Sequence, residues 1–151
     1  MPATRPGRDH AATVCYLETL SVNLPDELVD LLRRPSTCYL ATIMADGSPQ
    51  VTQTWVDTDG EHVIINSVKT HLKVRNIARD PRAAVAVSDP HDPSSYHQVR
   101  GRVIDVTTEG GREHIESLSQ KYLGKPYQWW GGRDQVRVII TIEAEHVSGV
   151  G

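Results

Sequence analysis

Between Ser67 and Ala84 the chain reads SVKTHLKVRNIARDPRAA, with Lys69, Lys73, Arg75, Arg79 and Arg82 facing a single acid, Asp80. His71 sits inside the run, and the whole protein carries a formal net charge of −3. A local cationic excess in an acidic chain suits an anion. In a helix expected from Thr70 to Arg79, Lys69, Lys73 and Asn76 fall near one line, and Thr70 is placed to cap the first turn. A helix start with free N–H groups, a cap hydroxyl and nearby lysines is suited to a phosphate. The same charges also fit a solvated basic helix.

Two further features carry chemistry. In YQWWGG, Trp129 and Trp130 stand beside two glycines, which gives flat apolar surface on a flexible tether. Such a loop can wall a planar ring or substrate, contact a second copy, or plug the end of a barrel. Gln53 shares a strand face with Val51 and Trp55, where a polar side chain needs a partner. Asn66 and Ser67 can supply one, or all three can face the polar edge of a ligand.

Other chemistries lack their residues. GxGxxG, GxxxxGK[ST], GxSxG and HExxH are all absent. The histidine in DPHDP has no spaced partner, so no metal site is expected, and no catalytic side chain is assigned. If the chain is an enzyme, a bound cofactor carries the hard chemistry. A pI near 6.1 argues against nucleic acid as partner. No apolar run is long enough to span a membrane, and Cys15 and Cys38 lack disulfide spacing, so a cytoplasmic protein is expected.

The elements that must position these residues follow from patterning. With 151 residues, the chain suits one domain over 22–151, preceded by a flexible tail over 1–21. LPDELVDLLRR predicts a helix with Pro25 in its first position. Two Asp-Gly turns, in ADGS and DTDG, predict a three-strand meander over 37–44, 49–57 and 61–67. RAAVAVSD reads as a buried strand, PHDPSS as a loop, and YHQVRGRVIDV as a longer strand with a bend at Gly101. A second helix aligns Ile115, Leu118, Tyr122 and Leu123 and ends at Gly124. In the last strand Val136, Val138, Ile140 and Ile142 alternate. Six strands without βαβ repetition predict a mainly β, α+β fold, an antiparallel barrel with peripheral helices.

The ordered run LATIMADGSPQVTQTWV, then VIINSVKTHLKVRNIARDPRAAVAV, then SYHQVRGRV, resembles the pyridoxamine-5′-phosphate-oxidase-like split-barrel flavoproteins. Within them it is most similar to the branch that binds deazaflavin coenzyme F420. The resemblance implies a six-stranded FMN-binding-type split β-barrel, and a homodimer with cofactors at the interface. It also implies that His71 and Lys73 face the coenzyme phosphate beside Lys69, Thr70 and Asn76. Gln50, Gln53, Asn66 and Ser67 then line the ring or its ribityl-like chain, and Arg33, Arg34, Arg75 and Arg79 attract the polyglutamate tail. The implied activity is reduction of a conjugated or quinone-like small molecule by reduced F420. An FMN-dependent oxidoreductase and a non-catalytic F420 or flavin carrier are the alternatives. Two departures stand out: EHVSGVG lacks the Arg-Leu ending of true pyridoxamine phosphate oxidases, and His71 stands where relatives often carry Arg.

Overall fold

The computed structural model describes residues 21–150, which form seven strands and three helices. The tail expected over 1–21 lies outside the described residues except for Ser21. Helix α1 (Asp26–Arg33) buries Leu28, Val29, Leu31 and Leu32, as its apolar spacing requires. Pro25 takes the N-cap place rather than the first helical one, and Arg34 turns extended before Pro35.

Strands β1 (Thr37–Ile43) and β2 (Pro49–Thr54) form the first hairpin. Its turn places Gly47 at φ +87°, while Asp46 accepts from the Ser48 N–H at 2.9 Å. Strands β3 (Val56–Thr58) and β4 (Val63–Val68) form the second. The expected three-strand meander is corrected here. The middle run breaks at Trp55, so β2 pairs with β1 and β3 pairs with β4, at opposite edges of the sheet.

The remaining elements are helix α2 (Leu72–Arg79), strands β5 (Arg82–Asp89) and β6 (Asp92–Thr107), helix α3 (Gly111–Leu123) and strand β7 (Arg137–Val150). Pro93 to Ser95, expected in a loop, belong to β6, and the connection shrinks to Pro90–His91. Sheet order is β2-β1-β5-β6-β7-β4-β3, antiparallel at every pairing. Because one residue, Trp55, joins the two outermost strands, the sheet must curl until its edges meet. That makes the predicted split barrel, with seven strands because the broken run counts twice.

The barrel interior is filled by alternating residues such as Leu40, Val85, Val99, Ile140 and Ile142, closed at one end by Leu28 and Leu32 of α1. The bend expected at Gly101 is real: the β6–β7 register shifts between Arg100 and Gly101. Helix α3 is tied to the barrel by Lys121, whose ammonium donates to the carbonyls of Leu32, in the last turn of α1, and Val56. Gly124 ends it at φ +66°. No helix among the described residues is long and apolar enough to cross a membrane.

Candidate functional site

A cleft of about 460 Å³ opens where the break at Trp55 separates β2 from β3. Its floor comes from β4 through Asn66 and Ser67, and one wall from His71 and Lys73 at the start of α2. Arg137, the first residue of β7, enters from the next strand of the sheet.

Two cations, Lys73 and Arg137, therefore converge with the His71 imidazole. Burial, then the charge of Arg137, pushes the Lys73 ammonium below its ordinary pKa. Burial, Lys73 and Arg137 push His71 down in the same order, and burial lowers Arg137 as well. Among the described residues, no carboxylate pairs with any of the three. A cluster whose charged forms are all disfavoured in the free protein is suited to receive an anion.

Arg137 is 9% exposed yet charged, so its contacts matter. One terminal nitrogen donates to Asn66 Oδ1 at 3.4 Å, and the other donates to the Tyr127 hydroxyl. Its Nε is buried without a partner. Ser67 Oγ lies 3.3 Å from His71 Nδ1.

The opposite wall is aromatic. Trp55 stacks on Tyr122 with centroids 5.1 Å apart and planes 10° from parallel. Tyr127 meets Trp55 edge-on at 6.2 Å and Trp130 at 5.2 Å. The Tyr122 hydroxyl is fully engaged, accepting from the Val56 N–H at 3.1 Å and donating to the Ser36 carbonyl at 2.7 Å. Burial pushes its pKa to about 12, and both of its hydrogen-bond partners are backbone groups. Cys38, which also lines the cleft, is raised to about 12 by burial, which favours the thiol over the thiolate.

The structure sorts the sequence candidates into two groups. Gln53, Asn66, Ser67, His71, Lys73 and Trp130 line the cleft. Gln50, Lys69, Thr70, Asn76 and Trp129 do not. Helix α2 starts at Leu72 with His71 in the cap place and no side-chain cap bond, so Thr70 precedes the cap. Asn76 is 1% exposed and donates to Thr42 Oγ1 at 3.1 Å, while Thr42 donates to Gln50 Oε1 at 3.2 Å. Arg79 completes this chain by donating to Asn76 Oδ1 and the Ile43 carbonyl, both at 3.0 Å. These residues moor α2 to β1 and so aim Lys73. Gln53 sits on the exposed face of the edge strand β2, where it needs no internal partner.

The two tryptophans have divided roles. Trp129, at φ +49°, is buried beneath the Arg112 guanidinium and donates from Nε1 to Glu116 at 3.0 Å. Trp130 is 65% exposed at the cleft rim. Arg34, expected near an acidic tail, is instead paired with Asp89 at 2.6 Å.

Arg137, Tyr127, Trp55 and Tyr122 were missed by sequence reasoning. The available signal was a charge in the alternation Val136, Arg137, Val138, at the head of a buried strand.

Unpaired cations beside an aromatic wall fit a group that joins a planar ring to a phosphate. Fold and cleft together define a split-barrel protein of the flavin-binding type. The comparisons agree: the family model described as pyridoxamine 5′-phosphate oxidase matches residues 24–151, and the chain belongs to that family. Membership places the chain among proteins related to flavin-type oxidoreductases. A solved structure named F420 reductase is 33% identical, covers 83% of this chain and 98% of its own, and superposes with a TM-score of 0.73. A conserved hypothetical protein from Mycobacterium tuberculosis shares 24% identity over 86% of both chains, with a TM-score of 0.66. General Stress Protein 26 from Bacillus anthracis shares the fold at 16% identity, covering 82% of this chain and 92% of its own, with a TM-score of 0.61.

Proposed function

We propose that the protein is a reductase that uses reduced coenzyme F420 to reduce a conjugated or quinone-like small molecule. The observation that carries this reading is the cluster of Lys73 and Arg137, two cations without a carboxylate, beside the His71 imidazole at the mouth of an aromatic cleft. The similarity to the structure named F420 reductase favours the deazaflavin over FMN.

In this reading Lys73 and His71 hold the phosphate of the coenzyme, as a point charge and a hydrogen-bonding imidazole. Arg137 and Asn66 present a donor and an amide to the polar edge of the ring. When bound, the coenzyme supplies a hydride. Trp55, Tyr122, Tyr127 and Trp130 exclude water and orient the acceptor against that ring, and orientation supplies most of the rate. Trp130, exposed at the rim, is the substrate contact, whereas Trp129 supports the loop from below.

The active form is a homodimer with the coenzyme at the interface. Supporting this, the outer face of the β2-β1-β5 sheet carries exposed Val51 and Tyr39 in register with Ala41, Ala84 and Ala86. Its compartment is the reducing cytoplasm, in keeping with the free thiol of Cys38.

Titrating the purified protein with F420 and following the coenzyme's fluorescence tests the reading. A saturable change at micromolar coenzyme is expected. No binding overturns it, and a yellow protein with a flavin spectrum replaces F420 by FMN.

His71 adds a pH signature. Its pKa lies below the usual 6.5 in the free protein, so it is neutral at pH 8 and gains charge as pH falls. A bound phosphate favours the imidazolium, so binding takes up a proton. The ratio of Kd for His71→Gln to Kd for wild type should therefore grow as pH falls through the imidazole range. A ratio independent of pH would place His71 outside the phosphate site.

A further inference from the structure

Behind the cleft a second layer of polar groups joins β3, β4, α3 and β7. His114 Nε2 lies 3.0 Å from Asp57 Oδ2, and His114 Nδ1 lies 3.1 Å from Asn66 Nδ2. Asn66 Nδ2 also donates to the Gly111 carbonyl at 2.9 Å, and Asn66 Oδ1 accepts from Arg137. His114 was not singled out by any motif.

Two of these groups act in only one direction. A carbonyl can only accept, so the Asn66 nitrogen must face Gly111; a guanidinium can only donate, so the Asn66 oxygen must face Arg137. With that orientation set at both ends, the nitrogen is also the atom against His114. His114 Nδ1 must then be the acceptor, and the imidazole proton must sit on Nε2, where it is donated to Asp57. The Asp57 carboxylate supports this tautomer. Burial works to raise its pKa, but the His114 bond, the Thr58 N–H and the Lys121 charge outweigh burial and hold it below the usual range.

The backbone makes this contact close. A Cβ on Gly111 would overlap the Arg137 carbonyl oxygen and lie 2.7 Å from its carbon, so the first turn of α3 rests directly on β7. His114 follows one turn later and is pressed onto Asn66.

We propose that Asp57 and His114 are positioning residues of the anion site. Neutral His114, protonated on Nε2, locks Asn66 so that its oxygen holds Arg137 toward the cleft. Loss of the Nδ1 acceptor frees the Asn66 amide to turn over, which strips the Gly111 carbonyl of its donor and leaves Arg137 facing an N–H group. Arg137 then keeps only Tyr127, and anion capture weakens. The inference rests on the reading of the cleft as the coenzyme site, and its test uses a probe that does not depend on the coenzyme.

The charged groups around His114 are Asp57 on β3, Arg137 on β7 beyond Asn66, and Lys121 on α3, which acts on Asp57. Lys73 and His71 lie across the cleft. Wild type is therefore compared with His114→Asn, which presents an amide oxygen near the place of Nδ1, and with His114→Leu, which presents no acceptor.

Two measurements decide the matter. Long-range 15N–1H NMR of the free protein at about pH 8 should find the His114 proton on Nε2. Kd for inorganic pyrophosphate and for F420 should be equal in wild type and His114→Asn. His114→Leu should bind both about tenfold more weakly, the scale of one hydrogen bond to a charged group, while keeping its thermal midpoint near that of His114→Asn.

A proton on Nδ1, or a His114→Leu variant that binds pyrophosphate as tightly as His114→Asn, overturns the proposal. If pyrophosphate follows the pattern and F420 does not bind, the positioning role stands and the coenzyme reading falls. Equal Kd in His114→Leu and His114→Asn with tight F420 binding gives the reverse.

Discussion

Lys73→Met is expected to weaken F420 binding about 30-fold, near 2 kcal/mol, while leaving the free protein as stable as wild type or slightly more so. The two signs differ because Lys73 is unfavourable until its ligand arrives. In the free protein its ammonium is half-buried beside Arg137 without a carboxylate, and both burial and that neighbour push its pKa down. Methionine keeps the apolar stem and removes the repulsion. Once an anion binds, the same charge contributes a desolvated, charge-assisted contact. Fluorescence titration and thermal unfolding of one preparation check both parts. Lost stability with unchanged affinity would make Lys73 a scaffold residue instead.

Arg137 should be less forgiving. Its guanidinium spans Asn66 and Tyr127 at once and stacks 4.9 Å from the Tyr127 ring centroid. A lysine presents a compact charge that cannot bridge both. Arg137→Lys is therefore expected to lose as much affinity as Lys73→Met, although it conserves charge.

The largest effect on stability is expected at Gly101. A Cβ there would overlap the Glu143 carbonyl oxygen and lie 2.9 Å from its carbon and 3.1 Å from Ala144 Cα. All three atoms are backbone of the neighbouring strand, so no side chain can rotate away. Gly101→Ala should cost ~3 kcal/mol or more and lower the thermal midpoint by about 10 °C. Gly47→Ala provides the contrast. Nothing lies within 4 Å of its Cβ, and only the φ of +87° resists substitution, so about 1 kcal/mol is expected. Equal losses in the two variants would mean that the β6–β7 bulge yields more readily than its packing suggests.

Gly101 also shows how far the sequence reading reached. A glycine within a strand pattern signalled a bend, and the bend is there, but nothing nearby in the chain revealed the Glu143 backbone that forbids a side chain. The phosphate segment divides similarly. Its cations and their place after β4 were legible, and His71, Lys73, Asn66 and Ser67 do meet in the cleft. Asn76 falls on the line of Lys73 by spacing, yet it is buried against Thr42 and Met44. A helical wheel gives the angle of a residue but not what lies beyond it. Thr70 falls outside the helix because His71, not Thr70, takes the cap place.

What the sequence determined by itself was therefore local. The Asp-Gly hairpin turns, the helices ended by extended residues before Pro35 and Pro81, the alternation of Val138, Ile140 and Ile142, and the cationic run after β4 all follow from chemistry within a few residues. Only the tertiary structure decided that the chain would break at Trp55 and send β2 and β3 to opposite edges. It alone brought Arg137 against Asn66, 71 residues earlier, and pressed His114 into the layer behind them. Turn and helix preferences are expressed over one to four residues. Strand partnership is chosen among distant segments by which pairing buries the most apolar surface and lets a twisted sheet close on itself. The anion site is divided between the two kinds: His71 and Lys73 belong to the local run after β4, whereas Arg137 joins them only because β7 pairs with β4.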